Sequence, residues 1–156
     1  MFLDKERKRD STFLDDLYVG QKFISESYAL SEEKIIQYAQ EFDPQIFHLD
    51  PVAAEDTFFK GLAASGWHTA AITMRLLVNS LNLHYGIIGA GGDLVWPQPT
   101  RATDILSVES EIIEIKPSKS KPNQALVTFK CETKNQHAEA VQILHPKLIA
   151  FKKISI

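Results

Sequence analysis

At 156 residues with a formal net charge of −3, the chain is long enough for one domain with its own core, and it carries no basic excess that would draw nucleic acid. Its hydrophobic share of 44% and charged share of 24% are those of an ordinary soluble protein, and no apolar run approaches the ~20 residues that cross a bilayer. A lone cysteine, Cys131, excludes an internal disulfide framework, and the N-terminus lacks the apolar core of a signal peptide, so a cytoplasmic protein without a membrane partner is expected.

Residues 1–16 read as an N-terminal arm, loosely held over 1–12, in which Lys5, Arg7, Lys8 and Arg9 are offset by Asp4, Glu6, Asp10 and Asp15. A single domain follows over 17–156. A turn at Tyr18–Gln21 leads into a strand over 22–30, where Ile24, Tyr28 and Leu30 can share a face at period two. Ser31 is placed to cap a helix, with Glu32 and Glu33 in its first turn and Ile35, Tyr38, Ala39 and Phe42 at helical spacing. That helix must stop at Asp43, because the residue before a proline is pushed out of helical dihedrals. Asp50-Pro51 reads as the cap and first position of a further short helix over about 51–57.

Small residues follow at Ala63-Ala64-Ser65-Gly66, permitting close approach of backbone or ligand. From Trp67 a longer helix begins. Trp67, Ala71, Met74, Val78 and Leu81 form one apolar stripe, with Ile72 and Leu76 beside it, which predicts the buried helix of the domain. The glycines at 86, 89, 91 and 92 have the wrong spacing and the wrong neighbours for a nucleotide-binding loop and read as loop and strand-start residues. A strand begins at Leu94–Trp96 and is interrupted by Pro97 and Pro99. In 104–115, Leu106, Val108 and Ile112 share a face until Ile113 and Ile115 break phase, predicting a bulge. In 125–133, Val127, Phe129 and Cys131 alternate with Thr128, Lys130 and Glu132. A turn at 135–139 leads to a last strand over 140–151, with Pro146 at a bulge or edge. The order predicts an α+β fold, an antiparallel sheet wrapped around one long helix.

The stretch from Phe42 to Pro51 gathers Asp43, His48 and Asp50, and two prolines forbid an ordinary helix through it. A rigid loop that holds Asp43 near His48 suits acid–base chemistry, since an imidazole ordinarily titrates near neutrality and a carboxylate accepts protons readily. Asp43 alone would read as a helix-end residue and His48 alone as a hydrogen-bonded structural histidine. Asp50 is better explained as a cap. His68 reads as structural, and His84, His137 and His145 form no metal-ligand spacing with a cysteine or carboxylate. Trp67 and Trp96 read as packing or interface residues.

The segment Tyr38-Ala39-x-x-Phe42-Asp43-Pro44-Gln45-x-x-His48-x-Asp50-Pro51-x-x-Ala54 resembles the hydratase motif of the MaoC-like dehydratase family, hotdog-fold proteins related to (R)-specific enoyl-CoA hydratases. The run from Gly61 to Thr69 is similar to the family segment that leads into the central helix, and Trp96-Pro97-x-Pro99-x-Arg101-x-x-Asp104 to the strand after it. The chain departs from the family pattern at Phe42, at Ser65, where a histidine is common, and at Ala102-Thr103.

The resemblance implies a hydratase or dehydratase acting on a 2-enoyl thioester, linked to CoA or an acyl carrier, with no separate cofactor and no metal. It implies that Asp43 and His48 share water activation and protonation. The Gly66 N–H, at a helix N-terminus, is placed to stabilise charge on the thioester oxygen. Ser65 is placed to cap that helix or touch substrate, and Arg101 to contact a phosphate of the carrier arm. A homodimer with its acyl tunnel near the interface is expected. An acyl-thioesterase on the same fold and a non-catalytic acyl-CoA-binding subunit are the alternatives.

Overall fold

The computed structural model describes residues 10–154. Six strands and three α-helices are joined in the order β1 (Lys22–Ile24), β2 (Tyr28–Ala29), α1 (Glu32–Phe42), α2 (Ile46–Leu49), α3 (Gly66–Leu81), β3 (Gly89–Val95), β4 (Ile105–Pro117), β5 (Gln124–Lys134) and β6 (Ala140–Phe151). The strands form one antiparallel sheet in the order β1-β4-β5-β6-β3, with β2 also paired to β4. Helix α3 packs across it, touching β1, β4 and β6. This is the expected sheet around a helix.

Strict alternation makes β5 the clearest element. Ala125, Val127, Phe129, Cys131 and Thr133 are buried, and the intervening side chains are not. On β4 the inward set is Leu106, Val108, Ser110 and Ile112, and the ladder with β5 slips between Ile112 and Glu114, at the expected bulge. These faces, with Ile35 from α1 and Leu76, Leu77 and Leu81 from α3, make the core.

Several expectations need correction. The segment over 22–30 is not one strand. It breaks into β1 and β2, and Ile24 is 75% exposed while Phe23 faces the core. Phe42 lies on the open side of α1 at 65% exposure. Strand β3 starts earlier, at Gly89, and takes in three of the glycines. A Cβ on Gly92 would sit 2.4 Å from the His145 carbonyl oxygen, so that glycine allows β3 to close on β6. Pro146 lies opposite Gly92 in the interior strand β6, neither at an edge nor at a bulge of the β5 ladder, which keeps one register on both sides of it.

Leu81 of the predicted α3 stripe, and Ile72 and Leu76 beside it, are buried as expected, but the rest of that stripe is turned outward. Trp67, Met74 and Val78 are 61%, 44% and 49% exposed, and the inward residues are His68, Thr69, Ile72, Thr73, Leu76, Leu77 and Leu81. The threonines fit inside because each hydroxyl has a partner. Thr69 bonds Thr100 at 3.0 Å, and Thr73 bonds the Thr69 carbonyl at 2.9 Å. Hydrophobicity alone finds Ile72, Leu76 and Leu81 but not the threonines, and it counts Trp67, Met74 and Val78 as inward when they are not.

Residues 1–9 of the predicted arm lie outside the described residues. Its remainder is docked. The Thr12 N–H donates to the Asn82 carbonyl and the Thr12 carbonyl accepts from the His84 N–H, while Phe13 stacks on His84.

Candidate active site

Helix α1 begins where Ser31 accepts a hydrogen bond from the Lys34 N–H at 3.2 Å, and it ends where Pro44 forces Asp43 into extended φ. The chain does not then run on as a loop. Gln45 starts a single helical turn, α2, which fits between the two prolines and carries His48. Asp50 ends that turn and caps the next. Its Oδ1 accepts from the Val52 and Ala53 N–H groups at 3.0 and 3.1 Å, so the cap role holds, though the element it caps is a 3-10 turn over Ala53–Asp56 rather than an α-helix.

This geometry brings the two candidate residues together. Asp43 Oδ2 lies 3.3 Å from His48 Nε2. His48 is buried, and its other ring nitrogen, Nδ1, is 2.6 Å from the Ala63 carbonyl oxygen. A carbonyl only accepts, so Nδ1 carries the proton and Nε2 is the nitrogen offered to Asp43. The ring is held edge-on by Phe47, with centroids 4.6 Å apart, and Phe59 packs behind. The Ala63 N–H in turn donates to the Phe47 carbonyl, so α2 and the segment before α3 are stitched in both directions.

Asp43 is partly open, with 18% of its side chain exposed, and its Oδ1 accepts from Gln45 Nε2 at 2.6 Å. Burial pushes the carboxyl upward, but the Ser65 hydroxyl, the Gln45 amide and nearby His48 together outweigh it, leaving Asp43 below the usual carboxylate range. Ser65 is buried and does not cap α3. Its Oγ makes no well-formed hydrogen bond, yet it lies near enough to the carboxylate to favour the ionised form. Gly66 opens α3, and its Cα is covered by the Trp96 indole. A Cβ there would meet that ring at 2.6–2.8 Å.

Arg101 turns inward. Its guanidinium donates to the carbonyls of Phe59, Gly61 and Leu62, and its own N–H donates to buried Asp104 at 2.8 Å. It clamps the loop that carries Phe59 toward His48, a structural role beside the phosphate contact expected from the sequence. Beside the dyad, His68 stacks on Tyr38 with centroids 4.5 Å apart and rings nearly parallel. Burial, helped by Lys34, lowers His68 to about 4, and its Nδ1 has no partner. Tyr38 is raised, first by burial and then by Asp43.

Gln45 stands in the quoted motif without a role, and the Ala63 carbonyl, Phe47 and Phe59 are not singled out from the sequence. Gln45 carried a faint signal, two positions after an aspartate. The Ala63 carbonyl carried none, because any residue supplies one. Two clefts, of about 340 and 400 Å³, lie at the β1–β4 region and near His84, and neither borders the dyad.

The MaoC-like domain profile matches residues 17–134. The chain belongs to that family. A MaoC-like dehydratase from Rhodospirillum rubrum is 52% identical and superposes with a TM-score of 0.92, covering 93% of this chain and all of its own. The unliganded (R)-hydratase PhaJ1 from Pseudomonas aeruginosa is 25% identical at a TM-score of 0.75, over 92% of this chain and 90% of its own. The uncharacterized protein YdeM of Bacillus subtilis (strain 168) is 30% identical over 126 residues, 79% of this chain and 87% of that one. The architecture is the hotdog fold. Among the described residues no helix is long and apolar enough to cross a membrane.

Proposed function

We propose that this MaoC-like protein adds water to, or removes it from, the double bond of a 2-enoyl thioester carried on CoA or an acyl carrier. The observation that carries the reading is the Asp43–His48 pair at 3.3 Å, with His48 Nδ1 tied to the Ala63 carbonyl. Hydration needs a base that takes one proton from water and an acid that gives one to the α-carbon. The hydroxide equivalent adds at the β-carbon, and the intervening charge rests on the thioester oxygen. The pair sets a carboxylate and an imidazole side by side, one to take a proton and one to give it.

Asp43, favoured in its ionised form, is the group to accept the proton of a water lying against both residues. His48 can exchange protons only through Nε2, which places the returning proton on the same side of the substrate. The Gly66 N–H, at the positive end of a 16-residue helix, is the donor we assign to the thioester oxygen. Ser65 and Gln45 orient the carboxylate.

We further propose a homodimer. Trp67, Met74 and Val78 form an exposed apolar stripe, and the uncovered edge strand β3 ends beside it at Val95 and Trp96, also exposed. A second copy laid on this surface would cover the stripe, extend the sheet and wall the open side of the dyad.

The test is a hydration assay across trans-2-enoyl-CoAs of short, medium and branched chain, with Asp43→Asn and His48→Gln beside the wild type. Each variant is expected to lose ~100-fold or more in rate. Full activity in both would refute the dyad. Release of free thiol would mark a thioesterase, and binding without turnover by the wild type would mark an acyl-binding subunit.

A further inference from the structure

A chain of buried hydrogen bonds runs under α3 and ends on the residue proposed to hold the thioester oxygen. Trp96 Nε1 donates to Gln142 Oε1 at 2.9 Å, Gln142 Nε2 donates to Thr73 Oγ1 at 3.0 Å, and Thr73 Oγ1 lies 2.6 Å from Thr133 Oγ1. Gln142, Thr73 and Thr133 are fully buried. The directions of the first two bonds are determined, and either hydroxyl can donate in the third. An indole N–H only donates, so Gln142 must turn its oxygen to Trp96 and its amide N–H to Thr73. Thr73 accepts from Gln142, and its one proton is free to serve the Thr69 carbonyl or Thr133. Every member is bonded to the next inside the protein, and a connected buried network of this kind fixes geometry.

The far end of this chain is the Trp96 indole, which lies on Gly66 with no room for even a Cβ between them. The near end grips α3 itself at Thr69 and Thr73, one and two turns beyond Gly66. The first residue of α3 is thus held from above by a ring and from below by the strand pair β5–β6, where Thr133 and Gln142 stand opposite one another.

We infer that Trp96 and Gln142 are positioning residues that set where the Gly66 N–H points, an inference that rests on the hydration reading of the site. Neither reaches the dyad. Their effect is on the helix end that must meet the oxygen as negative charge builds on it. A donor displaced by a fraction of an ångström still allows the ground-state substrate to bind, so the cost falls on kcat rather than KM.

Two single variants and their combination test this. Trp96→Phe keeps a ring over Gly66 but removes the indole N–H. Gln142→Met keeps the volume of a fully buried side chain and alters no exposed atom, so it leaves the outer surface as it was. Each is expected to lower kcat about tenfold, with KM within about twofold and the pH dependence of kcat/KM unmoved. The double variant should be no slower than the slower single, because both break one chain.

A spectroscopic readout is independent of turnover. In a His48→Gln background, a conjugated enoyl thioester bound to the site should absorb at longer wavelength than in water, because its carbonyl is polarised. Adding Gln142→Met should reduce that shift. An active wild type whose Trp96→Phe and Gln142→Met variants keep its kcat and its shift would overturn the inference alone. Additive losses in the double variant would also overturn it, since they would show two separate packing defects. A wild type that hydrates no enoyl thioester would overturn the reading of the site and the inference with it.

Discussion

Two buried histidines stand near Asp43, and they could hardly be treated more differently. His48 is tied to a backbone carbonyl through Nδ1, and its Nε2 faces the Asp43 carboxylate at 3.3 Å. His68 lies in face-to-face contact with Tyr38, and its Nδ1 has no partner at all. Their exposures, 4% and 7%, do not separate them. The partners do. Nδ1 of His48 is locked, so a proton can move only at the nitrogen facing Asp43. His68 is kept neutral by desolvation and a nearby cation, which makes it a flat polarisable surface for Tyr38 rather than a proton carrier. Burial alone does not mark a working histidine. One ring nitrogen tied to a carbonyl and the other facing an acid does.

The largest expected effect breaks the His48 side of this contrast. His48→Gln retains an amide donor for the Ala63 carbonyl but cannot carry a proton, so hydration should fall by ~100-fold or more with little change in thermal stability. Enoyl-CoA hydration and a thermal melt of the same preparation check both halves. A matching loss of melting temperature would make His48 a structural residue like its neighbour.

The sequence already separated these histidines, and for a physical reason. The spacing of Asp43 and His48 between two prolines is a local constraint, and local constraints survive in a linear chain. The same holds for Ser31 as a cap and for the alternation of β5. What failed depends on contacts across the fold. The intervening turn α2 is too short for periodicity to reveal. The outward stripe of α3 is as apolar as a core stripe, and the threonine partners far along the chain, Thr100 before β4 and Thr133 on β5, show which face goes in. Arg101 reads as a ligand-binding cation, and its bonds to the carbonyls of Phe59, Gly61 and Leu62, some 40 positions away, are visible only in the fold.

The next effect bears on His68. Its folded-state pKa of about 4 lies below the ordinary 6.5, so the unfolded chain binds a proton that the folded chain refuses. Its contribution is therefore fully present above pH 6.5 and is lost as pH falls from there toward 4, by ~3 kcal/mol at most. His68→Phe preserves a ring against Tyr38 and removes the titration. Urea unfolding at pH 7 and pH 4.5 should show a smaller acid loss in the variant than in the wild type, with hydration at pH 7 within about threefold of the wild-type rate. An unchanged acid loss would assign the effect elsewhere, and a large loss of activity would give His68 a part in the chemistry.

The smallest effect sharpens the Asp43 side. Ser65 is buried, caps nothing, and favours the ionised carboxylate through its hydroxyl. Ser65→Ala removes that support and leaves burial less opposed, so the Asp43 pKa must rise. The carboxylate still accepts from Gln45 and still faces His48, and it stays ionised at pH 7. The rate there should therefore change by no more than about threefold, while the acid limb of the kcat/KM profile moves to higher pH. A limb that does not move would show that Ser65 is a packing residue and that Gln45 and His48 alone hold Asp43 ionised. A limb that moves without loss at neutral pH would show that the base belongs to the whole cluster, and that the serine at the start of α3 widens the pH range over which the Asp43–His48 pair can work.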